Sequence, residues 1–184
     1  MDAPDDAPPG TSEALALLHE LGAEKIDHPG GTLLAHLVRV RERLARWQAR
    51  PALQLAGLCH AFYSTDGFAT ALLPIGRRAD LRAVIGTEAE ELVHFYASCD
   101  RTASYPTLGD PAPSFHDRFT DTTSSPTRQQ LRDFAELTVA NELDLVDQNP
   151  SWKAHGGADL LPLFTRFRPL LTVEAWQDCE ATLT

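Results

Sequence analysis

Two histidines stand out because each lies on an apolar segment that is predicted to be helical. His36 comes three residues after Leu33 and four before Val40, so a helix would turn its imidazole toward the buried face. His60 lies near the end of a second apolar segment, which begins at Pro51, a residue favoured in the first turn of a helix. The break at Arg50-Pro51 lets the segments fold back on each other. We therefore predict a helical hairpin that brings both imidazoles together.

Paired imidazoles suit two kinds of chemistry. They can bind iron, zinc or manganese, and their ordinary pKa near neutrality suits them to acid and base catalysis. His28 lies in a turn before the helix that carries His36, and Tyr63 follows His60 by three residues. These two are the predicted proton-handling residues. Each has a structural alternative, His28 as a turn residue and Tyr63 as a core aromatic. The predicted binding residues are Ser64, Thr65, Asp66, Asp100 and Asn141.

The rest of the chain is predicted to be helical and to close one domain over residues 11–184, after a disordered tail at 1–10. Thr87 and Glu90 have the spacing of a capping box. Residues 101–126 are long, polar and rich in proline but contain aromatic side chains, which indicates a packed flap over the site. No repeat and no convincing strand is visible.

The composition excludes several classes of protein. A net charge of -10 argues against a nucleic-acid ligand. No apolar run approaches the roughly 18 residues of a membrane span. Three scattered cysteines predict neither disulfides nor a thiolate metal site. We expect a cytoplasmic protein, and the preference for arginine over lysine is typical of a GC-rich bacterial gene.

Four stretches, taken in order, resemble the HD-domain superfamily: HPGGTLLAHLVRV, LAGLCHAFYSTD, VIGTEAEELV and LTVANELD. The similarity covers residues 28–147 and is strongest to the stringent-response nucleotide hydrolases. GLCHAFYST also fits the signature GLxHxxYxT of an uncharacterised HD-like bacterial family. The resemblance implies an all-α fold of HD type. It also implies divalent-metal phosphohydrolase activity or, as in some members, diiron oxygenase activity.

The sequence departs from that pattern at the acidic positions. Ala61 stands where the resemblance implies an aspartate after His60. Ser64 and Thr65 replace the acidic pair that activates water, and Asn141 replaces the last metal-binding aspartate. A divalent-metal hydrolase needs such carboxylates to offset the charge of the ion and to position water. We therefore do not expect a phosphohydrolase of the usual kind.

The sequence favours a small-molecule enzyme with a repurposed pocket around His36 and His60. A divalent metal, iron, zinc or manganese, would serve as a Lewis acid or an oxygen-activating centre. No organic cofactor is indicated. Three alternatives remain open: a catalytically silent ligand-binding or sensor module, a phosphohydrolase with an atypical site, and an interaction protein whose histidines are merely packed.

Overall fold

The computed structural model describes residues 7–149, 151 and 157–184 of the chain. Their structure is mostly helical, which confirms the predicted class. Residues 1–6 of the predicted tail lie outside the described residues, and in its described part Pro8 is buried and accepts a hydrogen bond from Thr11. The described helices are α1 (Thr11–Glu20), α2 (Leu33–Arg46), α3 (Pro51–Cys59), α4 (Arg78–Ile85), α5 (Thr87–Ser98), α6 (Arg101–Ser104), α7 (Arg128–Gln148), α8 (Gly157–Phe167) and α9 (Val173–Leu183).

Two small antiparallel hairpins interrupt the helices, although the sequence predicts no strand. β1 (Asp27–His28) pairs with β2 (Gly31–Thr32), and β3 (Phe115–Asp117) pairs with β4 (Thr122–Ser124). Strands of two or three residues are too short for an alternating pattern to appear. The first hairpin matters for the site, because it fixes His28 just before α2.

α2 and α3 pack closely, as the predicted hairpin requires. The apolar stripe of α2 is buried, including Leu37 and Leu44. A Cβ atom at Gly57 of α3 would lie 2.5 Å from Leu44 Cδ1, so a larger residue there would force the Leu44 side chain to shift. The close contact brings the start of α2 to the end of α3, where the two histidines lie.

α7 runs through the centre of the molecule and packs against α2, α3, α5 and α9. It begins with a complete capping box between Thr127 and Gln130. Arg43 of α2 donates to Asp147 of α7 at 2.6 Å and to Asp178 of α9 at 3.0 Å. These bonds hold α7 beside α2, and thereby beside His36.

The segment 101–126 is packed, as predicted, but it does not close over the histidines. Phe115 is buried and stacks on Phe95 of α5 with ring centroids 4.2 Å apart. Arg118 donates to the carbonyl oxygen of Ala97 at 2.8 Å. Its aromatic side chains attach the segment to α5, α7 and α8. Arg101 alone of this segment lines the cavity, so the expectation of a flap over the site is corrected. Arg101, at the start of the segment, does reach the site.

Among the helices of the described residues, none is long and apolar enough to cross a membrane.

Candidate functional site

A cavity of about 260 Å³ lies where α2, α3 and α7 meet the β1–β2 hairpin and the turn after α3. Its lining combines polar side chains, both histidines among them, with apolar ones. Its lining residues are His28, Pro29, Leu33, His36, His60, Ala61, Thr65, Gly67, Phe68, Arg101, Asn141, Glu142 and Leu145.

His36 and His60 are buried and meet at one edge of this cavity. Their Nε2 atoms are 3.4 Å apart, and their exposed fractions are 1% and 3%. His60 Nδ1 donates to the carbonyl oxygen of Gly57 at 2.8 Å, which fixes the ring with Nε2 toward His36. Burial and the neighbouring His36 lower the pKa of His60 to about 3. His60 is therefore neutral near pH 7, with a bare lone pair on Nε2.

His36 is fixed by two charged residues that the sequence analysis did not identify. Its Nδ1 donates to Asp144 Oδ2 at 2.6 Å. Arg39 donates to both oxygens of the same carboxylate, at 2.7 and 3.0 Å. Burial alone would raise the pKa of Asp144, but the hydrogen bonds from His36 and Arg39 outweigh burial and lower it. Asp144 therefore accepts as a carboxylate from Nδ1, and the His36 ring turns Nε2 toward His60 and Asn141.

A third acceptor, the amide oxygen of Asn141, joins the two imidazole nitrogens. Asn141 Nδ2 donates to Glu142 Oε1 at 3.2 Å, which orients Oδ1 toward His36 Nε2 at 3.0 Å. If the Nδ1 atoms carry the only ring protons, three acceptor lone pairs converge with no hydrogen between them. A metal ion, or a second proton on His36, would satisfy these acceptors.

The spacing of the two imidazole nitrogens fits a metal ion bound to both of them. Metal–nitrogen bonds of roughly 2.1 Å place two imidazole ligands of a tetrahedral ion roughly 3.4 Å apart. A carboxylate or carbonyl that holds the remote nitrogen of a ligand histidine is the usual outer support of such a site. Within the part of the chain that the structure describes, no three His, Cys, Asp or Glu side chains are grouped to hold an ion. The third ligand would therefore be the Asn141 amide or the substrate.

His28 stacks on His36 with ring centroids 4.1 Å apart. Burial and the nearby His36 lower the pKa of His28 to about 4, so it is neutral near pH 7. Its buried Nδ1 has no hydrogen-bond partner among the residues that the structure describes. His28 is thus placed in the cavity, as predicted, and it can accept a proton or a hydrogen bond there.

Tyr63 does not reach the cavity, which corrects its predicted role. Its hydroxyl donates to Glu90 Oε1 at 2.9 Å. Glu90 also accepts from Arg78 and Arg82, so it does not form the predicted capping box with Thr87. Burial and the Glu90 carboxylate raise the pKa of Tyr63. Tyr63 is therefore part of a structural polar cluster.

The other predicted binding residues divide into two groups. Thr65 and Asn141 line the cavity. Ser64 accepts from Arg118, and Asp100 caps α6 by accepting from Ala103 N, so neither lines it. Asp66 also lies outside the lining, where its carboxylate accepts from the backbone N–H of Arg101 at 2.8 Å.

Arg101 and Glu142 are charged residues that line the cavity and contact each other. The sequence analysis did not predict either as a site residue. Arg101 Nη1 donates to Glu142 Oε1 at 3.3 Å, and Nη2 donates to the Tyr96 hydroxyl at 3.4 Å. Burial raises the pKa of Glu142, and Arg101 offsets that only in part. One signal for Glu142 was present in the sequence, since it is an acidic residue beside Asn141 on a buried helix. Its contact with Arg101 follows only from the packing of α7 and could not be predicted.

Comparison with known proteins gives one family match. Residues 17–101 match the model of a domain of unknown function, DUF6817. The matched region contains His28, His36 and His60 and ends at Arg101, before the residues of α7. No curated protein and no solved structure matches the chain.

Proposed function

We propose that the protein is a small-molecule enzyme that holds one divalent metal ion through His36 and His60 in the cavity. The observation that carries the proposal is the convergence of two imidazole nitrogens, 3.4 Å apart, with the Asn141 amide oxygen 3.0 Å from one of them. Asp144 and the Gly57 carbonyl oxygen accept from the remote ring nitrogens, as hydrogen-bond partners of ligand histidines do in metal sites.

The scaffold that we propose is of HD type. Support comes from the order of the parts: a histidine on α2, a second histidine at the end of α3, and Asn141 on α7 beside the first. Ala61 and Thr65, which stand where the resemblance implies acidic residues, line the cavity. We therefore infer a reaction other than hydrolysis of a phosphate ester by the usual HD mechanism. The alternative is a phosphohydrolase with an atypical site.

A divalent ion held here would supply Lewis acidity or, if it were iron, chemistry with oxygen. The chain itself supplies orientation and proton transfer. Asp144 keeps the proton of His36 on Nδ1, and Gly57 does the same for His60. Glu142, whose pKa is raised by burial, is placed to hold or release a proton at its carboxyl group. His28, which stacks on His36, can accept a proton as well.

A metal-free pocket is a second candidate, and one contact favours it. A second proton on His36 Nε2 would also satisfy the converging acceptors, and the Asp144 carboxylate at 2.6 Å from Nδ1 would stabilise that cation. Such a site would bind a ligand or use His36 as an acid without an ion. Measured metal content separates the two candidates.

The test is elemental analysis of protein purified without chelator, followed by titration with Fe²⁺, Zn²⁺ and Mn²⁺. We expect about one ion per chain, and loss of that ion in the His36→Ala/His60→Ala variant. Asp144→Asn should weaken metal binding by about 10- to 100-fold, because His36 loses its orienting carboxylate.

Two matched controls belong to this experiment. His94→Ala removes a half-buried histidine that contacts Phe119 away from the cavity. Asp133→Asn removes another buried α7 carboxylate, which pairs with Arg50 away from the cavity. Both should leave metal content unchanged. Protein that carries no ion and binds none of the three metals would overturn the metal proposal.

A further inference from the structure

We propose that Arg101 anchors the carboxylate of the substrate, and that the substrate is a small monocarboxylic acid with an apolar body. This inference rests on the proposed use of the cavity as a small-molecule site. It names the class of substrate, which neither the histidines nor the family match indicates. It is supported by the position of Arg101, the hydrogen-bond distances of its guanidinium, and the nature of the remaining lining.

Arg101 is positioned by its surroundings. Its backbone N–H donates to Asp66, and Asp100 caps the short helix α6 that Arg101 begins. The guanidinium lies against Gly67, where a Cβ atom would be only 2.7 Å from Nη1. These contacts direct the arginine side chain toward the cavity, although it starts on a segment that packs elsewhere.

The guanidinium is poorly satisfied for a group with 23% of its side chain exposed. Its hydrogen bonds to Glu142 and Tyr96 measure 3.3 and 3.4 Å. Charge-assisted bonds are ordinarily about 2.7–2.9 Å. Arg39 reaches that range in the same molecule, with 2.7 Å to Asp144. Arg101 therefore has donor capacity left for an anion entering the cavity.

A carboxylate fits this site better than a phosphate monoester. Arginine pairs with the two oxygens of a planar carboxylate through a fork of parallel hydrogen bonds. Among the described lining residues, Arg101 is the one with a permanent positive charge, and Glu142 lies beside it. The roughly -1.5 to -2 charge of a phosphate monoester would be repelled more strongly by Glu142 than a single negative charge.

The remainder of the substrate should be apolar. Pro29, Leu33, Phe68 and Leu145 line the cavity, and its volume of about 260 Å³ suits a short chain or a single ring. Burial of each additional methylene is worth about 0.8 kcal/mol, or about fourfold in affinity. Affinity should therefore rise with chain length until the cavity is filled.

The first arm of the test is calorimetric titration of the protein as purified with acetate, butyrate and hexanoate. We expect affinity to rise by about fourfold per methylene across this series. Butyramide, which is neutral, should not bind detectably, and butyl phosphate should bind more weakly than butyrate. Failure of all three carboxylates, or tightest binding by butyl phosphate, would overturn the inference.

The second arm uses two variants that should change affinity in opposite directions. Arg101→Gln should weaken hexanoate binding at least tenfold, whereas Glu142→Gln should strengthen it by removing the competing anion. Arg46→Gln, an exposed arginine on α2, is the control and should change nothing. Thermal melts establish that each variant is folded. Equal hexanoate affinity in wild type, Arg101→Gln and Glu142→Gln would place the carboxylate elsewhere and overturn the inference.

Metal content is measured on the same samples, so that the two proposals fail separately. Bound metal without carboxylate binding would overturn the substrate class and leave the proposed metal centre intact. Carboxylate binding that depends on Arg101 in protein unable to hold metal would support the substrate class and overturn the metal centre.

Discussion

Two buried glutamates on neighbouring helices, Glu90 of α5 and Glu142 of α7, show how differently one molecule can treat the same group. Glu90 accepts four hydrogen bonds of 2.6–2.9 Å from Arg78, Arg82 and Tyr63. Glu142 accepts two, of 3.2 and 3.3 Å. Burial opposes ionisation of both, but the hydrogen bonds outweigh it at Glu90 and lower the pKa, whereas at Glu142 burial prevails and raises it.

The comparison distinguishes a structural charge from an available one. A fully satisfied carboxylate such as Glu90 stabilises the fold and has little capacity for another partner. A carboxylate with long bonds, a raised pKa and a place in a cavity is typical of a site prepared for a ligand. The Arg101–Glu142 pair is of this second kind, whereas Glu90 and its two arginines are of the first, although each set joins arginine to glutamate.

The largest expected effect is the loss of stability on removing the charge of Glu90. Glu90→Gln leaves Arg78 and Arg82 without their carboxylate, and we expect it to lower the free energy of unfolding by about 3 kcal/mol. Glu142→Gln should lower it by less than about 1 kcal/mol, because the bonds lost are long. Chemical denaturation of both variants measures the difference.

Glu91→Gln is the matched control for this experiment. Glu91 is the exposed neighbour of Glu90 on α5, and its substitution should change the free energy of unfolding by no more than about 0.5 kcal/mol. Equal losses in Glu90→Gln and Glu142→Gln would contradict the distinction between the two glutamates.

The next effect is a dependence on pH. The pKa of Glu90 is lowered from 4.5 in the folded protein, so the unfolded chain takes up a proton first as the pH falls. Its stabilising contribution is fully present above pH 4.5 and is lost as the pH falls through the folded pKa. Denaturation at pH 7 and pH 3 should therefore show the gap between wild type and Glu90→Gln narrowing in acid. A gap that widens would refute the assignment.

The smallest expected effect concerns the position of the Arg101 guanidinium, the partner of Glu142. Gly67→Ala would place a Cβ atom 2.7 Å from Arg101 Nη1 and displace the guanidinium. We expect hexanoate affinity to fall a few-fold while the free energy of unfolding changes by less than about 1 kcal/mol. Gly76→Ala is the control, since nothing lies within 4 Å of a Cβ atom there. Unchanged affinity in Gly67→Ala would separate the guanidinium position from ligand binding.

The sequence predicts the part of the site that depends on local periodicity. Steps of three and four residues place His36 on the buried face of α2, and an almost wholly apolar segment places His60 at the end of a central helix. The same reasoning fails for Tyr63, because α3 ends at Cys59 and a turn redirects the chain toward Glu90.

The other half of the site depends on contacts distant in sequence. Asp144 lies 108 residues from His36, and Glu142 lies 41 from Arg101. No spacing rule connects residues so far apart, since the register of α7 against α2 is set by packing and by pairs such as Arg43 with Asp147. The fold class was predictable because apolar residues recur with the period of a helix. The two small hairpins and the hydrogen-bond partners of each charged side chain were not predictable.

The position of Asn141 on α7 has a consequence for protein synthesis. Both histidines are translated before Asn141, and about 80 residues separate His60 from Asn141. At roughly 5–20 residues per second, α7 follows the α2–α3 pair after about ten seconds. During that interval the nascent chain carries both imidazoles without Asn141 or Asp144. The growing chain therefore passes through a stage in which its histidines lack the residues that orient and shield them, and the pocket is completed only when α7 docks.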